Sequence, residues 1–306
     1  MVSVPALAPI TVPGTPAAEI EVDETLARRL ILAQHADLAD RPLALLASGW
    51  DNVVFRLGDD LLLRAPRRSV AAQLIRHEQR WLPHLAPTLP LPIPAPVRVG
   101  VPDGDYPWPW SITPWLEGVT ADRDPPLPDQ GAVLAGFFRA LHVPAPAQAP
   151  RNPVRGVPLA ARAEAVEQRL ANLAARGAPI DLAALRTIWR EGLDAPNDAR
   201  ATWIHGDPHP LNVLVKEGRF SAVIDWGDLA CGDRASDLAA VWMLLPHAAS
   251  REDAVAGLPD VSLATWRRAR GWAAFYVATL LDIGLEEGSV MAGIAAATLG
   301  RLIEDG

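Results

Sequence analysis

The sequence predicts an α+β chain in two parts, an antiparallel sheet within residues 21–115 and mainly helices within residues 116–306. Three observations carry this. Short apolar runs at residues 43–47, 53–57 and 61–64 are separated by Ser48-Gly49-Trp50-Asp51-Asn52 and by Gly58-Asp59-Asp60, the punctuation of a meander. Residues 86–109 are dense in proline, which favours extended segments over helix. Beyond them, apolar residues recur at helical spacing in several segments separated by loops.

Composition narrows the class before any motif is weighed. A chain of 306 residues, 50% of them apolar, can bury a sizeable core in one large domain or two ordinary ones. A formal charge of -8 without a basic run argues against nucleic acid and suits a cationic partner. Cys231 is the single cysteine; no intrachain disulfide can form, and a reducing compartment is expected. The start lacks the pattern of a signal peptide, and no apolar run has the length of a bilayer span, so the expectation is a soluble cytoplasmic protein without a membrane partner. Repeats, metal-finger spacings and the P-loop signature are missing, so any nucleotide site must be of another kind.

In chain order, residues 1–20 are rich in Pro, Ala and Val, fit neither periodic template, and read as an extended or mobile arm. Asp23 as N-cap, with Leu26, Leu30 and Ile31 at helical spacing, predicts a helix to about Leu38. In the turn at residues 48–52, Gly49 lets backbone N–H groups approach an anion closely, a plain hairpin turn being the alternative. Residues 73–85 read as a helix with Leu74, His77, Trp81 and Leu85 on one face, and residues 110–115 as a strand leading into Leu116. Helices are predicted at residues 130–142, 159–176, 181–193, 238–245, 262–285 and 287–303, with Glu286 and Glu287 in the last loop. Most of the eleven tryptophans read as packing, although Trp226 could flank a site beside Asp225.

The chemistry concentrates in the stretch from Trp203 to Asp237. Pro208 and Pro210 keep the segment between Asp207 and Asn212 out of helix and sheet. Residues 213–215 and 221–224, joined by Lys216-Glu217-Gly218-Arg219, read as a hairpin that returns Asp225 to Asn212. Two oxygen ligands facing one point suit Mg²⁺, which keeps its other positions for water and substrate phosphates. Asp207, not needed as a ligand, is then free to accept a proton from a hydroxyl. The bland readings are a loop-capping carboxylate for Asp207 and turn residues for Asn212 and Asp225. His205 reads as a hydrogen-bonder of the loop, while His209 either faces the site or lies in solvent.

His205-Gly206-Asp207 with Asn212, then Ile224-Asp225 and Gly232-Asp233-Arg234-Ala235-Ser236-Asp237-Leu238-Ala239, resemble the catalytic and metal-binding segments of aminoglycoside phosphotransferases. These are small-molecule kinases similar in fold to protein kinases, in a group that includes choline and homoserine kinases. The spacing is that of H-R-D-x-x-x-x-N, with Gly206 in the middle. The resemblance covers nearly the whole chain after the first twenty residues. It implies a two-lobed protein-kinase-like fold, with an N-terminal antiparallel sheet lobe for nucleotide at residues 21–115 and a mainly helical C-terminal lobe for catalysis and acceptor at residues 116–306.

Roles follow from the resemblance residue by residue. Asp207 would be catalytic, and Asn212 and Asp225 would hold Mg²⁺. Gly49 and Asn52 would lie at the phosphates of ATP, or alternatively GTP. Arg64 stands where the pattern has a lysine, paired with Glu78, and offers a planar fork in place of a compact charge. The carbonyl of Pro114 and the amide of Leu116 would hold the adenine. Asp228, Glu286 and Glu287 are candidate contacts of a cationic acceptor, and Asp237 would tie down the catalytic loop. The helices at residues 159–176 and 181–193 either line the acceptor pocket or pack as ordinary helices.

The function so implied is ATP-dependent transfer of the γ-phosphoryl to a hydroxyl of a small molecule, first an aminoglycoside or similar cationic antibiotic. One alternative is a metabolic kinase acting on an amino alcohol, sugar or amino acid. Another is a catalytically silent nucleotide-binding regulator, motivated by Arg64. The pattern gives neither the acceptor nor the oligomeric state.

Overall fold

A computed structural model of the 306-residue chain describes residues 10–11, 17–198, 200–284 and 289–306. The chain divides into two compact units: unit 1 comprises residues 1–87 and 93–116, and unit 2 comprises residues 88–92 and 117–306.

Unit 1 is built on a six-stranded sheet. In chain order it contains β1 (Ile10–Thr11), α1 (Glu24–Gln34), β2 (Leu43–Ser48), β3 (Asn52–Leu57), β4 (Leu61–Pro66), α2 (Ser69–Leu85), β5 (Arg98–Gly100) and β6 (Trp110–Pro114). The sheet order is β1-β2-β3-β4-β6-β5, antiparallel apart from the β1–β2 pair. The Asp23 carboxylate accepts the Leu26 N–H at 2.8 Å and starts α1, as its sequence position predicts. Leu30, Ile31, Phe55, Leu57, Leu63, Tyr106, Trp110 and Ile112 form the core. Inside it the Tyr106 hydroxyl donates to the Pro66 carbonyl at 2.8 Å, so the one polar group of that ring is satisfied. Residues 1–20, expected as an arm, contain β1, paired in parallel with the start of the sheet.

The face that α2 buries differs from the expected one. Ala71, Ala72, Ile75, Glu78, Leu82 and Leu85 are buried, whereas Leu74, His77 and Trp81 are only half-buried. Counting apolar residues rotates the helix because it places Glu78 in water; a guanidinium on the sheet draws that carboxylate inward instead.

Unit 2 contains β7 (Val119–Thr120), α3 (Gly131–Leu141), α4 (Ala163–Ala175), α5 (Leu182–Asp194), β8 (Thr202–Ile204), β9 (Val213–Lys216), β10 (Arg219–Val223), β11 (Ala230–Gly232), α6 (Ala235–Leu238), α7 (Ala240–Leu244), α8 (Ala248–Ala256), α9 (Leu263–Gly284) and α10 (Val290–Glu304). Helix α9 is almost continuously buried and packs against α4, α5, α6 and α10. The segment expected as one helix at residues 238–245 breaks at Ala239 into α6 and α7. Helix α8 has no counterpart among the helices that the sequence predicts. Its inward face carries Arg251, whose guanidinium binds Glu304 at 2.6 Å and Asp305 at 2.6 and 2.7 Å at the end of α10. No helix among the described residues is long and apolar enough to cross a membrane.

Strands β8 and β11 pair antiparallel, and β9 and β10 form the expected hairpin, with β7 on the outer edge of β9. Glu217 and Gly218, both at positive φ, make its two-residue turn. Strand β8 leads into the loop at residues 205–212, and the hairpin leads out of it.

Candidate active site

The loop is fixed first by Asp237, a fully buried carboxylate at the start of the helical segment after β11. One oxygen accepts the His205 N–H at 2.7 Å and lies 3.1 Å from His142 Nε2; the other accepts the Gly206 N–H at 2.8 Å. Gly206 has φ +91°, and a Cβ there would lie 2.5 Å from the Asp228 carbonyl oxygen, so only glycine fits. The Tyr276 hydroxyl on α9 donates to the Gly206 carbonyl at 2.7 Å. His205 is buried edge-on against Trp226; its Nδ1 accepts the Asp207 N–H at 3.2 Å, and its Nε2 sits 3.0 Å from the Ile224 carbonyl. The ring thus ties the loop to the far end of the hairpin, and Trp226 is fully buried in the core.

Asn212 and Asp225 lie at the base of the hairpin. The Ile224 N–H donates to the Asn212 carbonyl at 2.9 Å, which holds Asp225 one residue away from Asn212. Asn212 spends its side-chain N–H on the Asp207 carbonyl at 3.0 Å, turning the amide oxygen away from that bond. Asp225 is exposed and left-handed, with φ 59° and ψ 71°, a conformation that Asp tolerates better than most residues. An amide oxygen and an exposed carboxylate are the hard donors that Mg²⁺ takes, so the residues present fit the ion.

Around Asp207 the structure brings in groups from distant positions. Arg155 Nη2 binds Asp207 Oδ1 at 2.9 Å, and Arg155 Nε lies 3.8 Å from Asp228 Oδ2. The guanidinium is 4.7 Å from the Tyr276 ring centroid and 5.3 Å from that of Phe275. Asn152 Nδ2 donates to Asp228 at 2.6 Å, while its own side-chain oxygen accepts the Val154 and Arg155 N–H groups at 2.7 and 2.9 Å. His209 caps the turn that follows through Nδ1, and its Nε2 lies 3.4 Å from Asp207 Oδ2.

The charges respond to this company. Burial pushes the Asp207 carboxyl up, but Arg155 and His209 outweigh it and hold the group well below the usual carboxylate range. Burial pulls His209 down, and Asp207 lifts it above the usual imidazole value. Asp228 is pushed up, first by burial and then by the Asp207 charge.

The nucleotide-side candidates Gly49, Asn52, Arg64, Glu78, Pro114 and Leu116 all lie in unit 1. The Gly49 N–H closes the β2–β3 turn on the Asn52 carbonyl at 3.0 Å. A Cβ at Gly49 would meet nothing closer than that same oxygen, at 3.6 Å, so the turn itself does not demand glycine. Arg67 braces the turn through Ser48 Oγ at 2.9 Å and the Gly49 carbonyl at 3.2 Å, which makes it more than a solvated basic residue. Pro114 pairs opposite Leu61 at the end of β6, and Leu116 is the last residue of the unit.

Arg64 on β4 and Glu78 on α2 form a buried two-pronged pair, with Nη1 to Oε2 at 2.5 Å and Nη2 to Oε1 at 3.3 Å. Arg64→Ala removes the guanidinium from a buried carboxylate and is expected to cost about 3 kcal/mol. The double variant Arg64→Met/Glu78→Leu should recover most of that in the same urea-unfolding measurement.

Of the acceptor candidates, Asp228 is already engaged by Asn152 and Arg155, and Glu286 and Glu287 lie outside the described residues. Sequence reading missed Arg155, Asn152 and Tyr276. The signal available was an Asn-Pro turn and a glycine on either side of Arg155 in a proline-rich loop.

The fold and this loop together define a kinase-like phosphotransferase. Residues 42–272 match the phosphotransferase enzyme family (APH), and the chain belongs to that family. Its fold is similar to that in the GDP and kanamycin complex of APH(2")-IIia, with TM-score 0.60 and 18% identity over 91% of this chain and 97% of that one. It is similar also to macrolide 2'-phosphotransferase MphH from Brachybacterium faecium, with TM-score 0.55 and 23% identity over 88% and 97%. For ADP-bound aminoglycoside phosphotransferase APH(2'')-Ib the values are 0.58 and 16% over 92% and 99%. A search of curated proteins finds no match.

Proposed function

We propose that the protein transfers the γ-phosphoryl of ATP, with GTP as the alternative donor, to a hydroxyl of a small-molecule antibiotic, an aminoglycoside or a macrolide. The observation that carries this reading is the loop itself: Asp207 paired with Arg155, with the backbone of Asn212 and Asp225 brought close by the hairpin beside it. Mg²⁺ held by Asn212 and Asp225 would neutralise charge on the nucleotide phosphates. Asp207, with its proton affinity depressed, is a weak base; it orients the attacking hydroxyl and takes its proton late, as the loose transition state allows. On unit 1, the turn at Gly49 and Asn52 and the Arg64–Glu78 pair serve the phosphates, and Pro114 and Leu116 serve the base. The similarity to proteins solved with GDP, ADP and kanamycin supports the donor and the acceptor class. A metabolic acceptor is the second reading, favoured by the engagement of Asp228, which removes one carboxylate from recognition of a polycation.

The test is Mg²⁺-dependent release of ADP from ATP, and of GDP from GTP, across aminoglycosides, macrolides, amino alcohols and sugars. Turnover stimulated by an antibiotic is expected. Stimulation only by a metabolite would select the second reading, and nucleotide binding without turnover on any acceptor would leave a regulator.

A further inference from the structure

Arg155 is held in place on all but one side. Its backbone N–H is taken by Asn152, its Nη2 by Asp207, its Nε approaches Asp228, and aromatic rings of α9 face the guanidinium. The next residue, Gly156, has φ +64°, and its carbonyl accepts the Asp233 N–H at 2.8 Å; a Cβ there would fall 2.4 Å from Ile204 Cδ1. The Arg155 loop is therefore anchored to the ends of β8 and β11, the strands that carry the catalytic stretch. One donor remains. Arg155 Nη1 is buried and has no hydrogen-bond partner among the described residues, a costly state for a charged group unless a ligand completes it.

We propose that Arg155 is a residue of the acceptor site, with Nη2 aiming Asp207 and Nη1 donating to an oxygen of the bound acceptor next to the hydroxyl that is phosphorylated. This rests on the phosphotransferase reading above. The acceptor must then present a second oxygen (hydroxyl, ether or carboxylate) beside the reacting one. An ammonium in that place would meet the guanidinium, and Asp228 is already engaged by Asn152 and Arg155. A planar fork presents two separate nitrogens to two oxygens at fixed spacing, whereas a lysine must donate to both from a single point.

The experiment compares the wild-type protein with Arg155→Ala and Arg155→Lys, using ATP or GTP as donor and kanamycin, gentamicin, streptomycin, a macrolide, choline and glucose as acceptors. For the best acceptor, Arg155→Ala should lower kcat/KM by about 100-fold while the nucleotide KM moves by less than about twofold. Arg155→Lys should fall between, down by about tenfold. If the Ala variant does not fold, the Lys variant decides alone. A wild-type kcat/KM in either variant, or a nucleotide KM that rises in step with the loss, overturns the proposal. A wild-type protein inactive on every acceptor removes the function reading and the proposal with it, whereas an active wild type with an equally active Arg155→Ala removes the proposal only.

Discussion

Asp207→Asn is expected to lower kcat on the working acceptor by about 10³-fold, within the range for a positioned acid–base group, with nucleotide KM unchanged to within about twofold. The substitution is nearly isosteric. The new amide would keep an oxygen toward Arg155, and Asp228 remains beside that guanidinium, so no charge is left stranded. The backbone around it is held by His205 and by the Asn212 side chain, neither of which bonds to the carboxylate. What disappears is the negative charge that, on the proposed function, orients the hydroxyl and receives its proton. Steady-state kinetics with thermal unfolding of the same samples check this. A variant that keeps a tenth or more of wild-type kcat would remove Asp207 from the chemistry.

Asp237→Ala is expected to be the most damaging single change to stability, on the order of 4 kcal/mol. It leaves the His205 and Gly206 N–H groups, both buried, without an acceptor and takes the partner from His142 Nε2, which is stacked on Phe138. For a protein of this size that is a fall of roughly 10 °C in melting temperature. Asp237→Asn should lie between, because an amide offers one oxygen to two N–H donors and turns an N–H toward the other. Activity in Asp237→Asn should fall further than stability explains, since Gly206 N–H helps to set the direction in which Asp207 points. Melting curves and kcat measured on both variants separate these effects.

What was legible in the sequence is what local chemistry decides. Pro208 keeps its part of the segment irregular, whereas Pro210 opens a short 3-10 turn at Pro210–Asn212 that the sequence reading did not place; the β-branched runs form the hairpin and return Asp225 toward Asn212. Asp23 announces α1 in the same way. The misses share a different cause: a buried charge whose partner is far along the chain. Periodicity alone misplaced the inner face of α2, although the resemblance had already paired Glu78 with Arg64; Arg251 lets α8 bury an ionised side chain because Glu304 and Asp305 meet it. Arg155 reaches Asp207 across fifty-two positions, a distance at which no periodicity or spacing rule reports.

The arginine at position 64 acquires a different meaning from the composition of the whole chain. Of its 28 Lys and Arg residues, Lys216 alone is lysine, so arginine at the position proposed to face the phosphates follows the habit of the entire polypeptide and is no mark of a lost activity. Lys216 sits at the end of β9, exposed and paired with Glu117. Covalent nucleotide probes that label kinases by acylating an active-site amine therefore have nothing to capture at Arg64, and a survey relying on them would pass this protein over. The same scarcity is an asset for biophysics: an amine-directed dye has a single side chain to find, on the hairpin that carries Asn212 and Asp225.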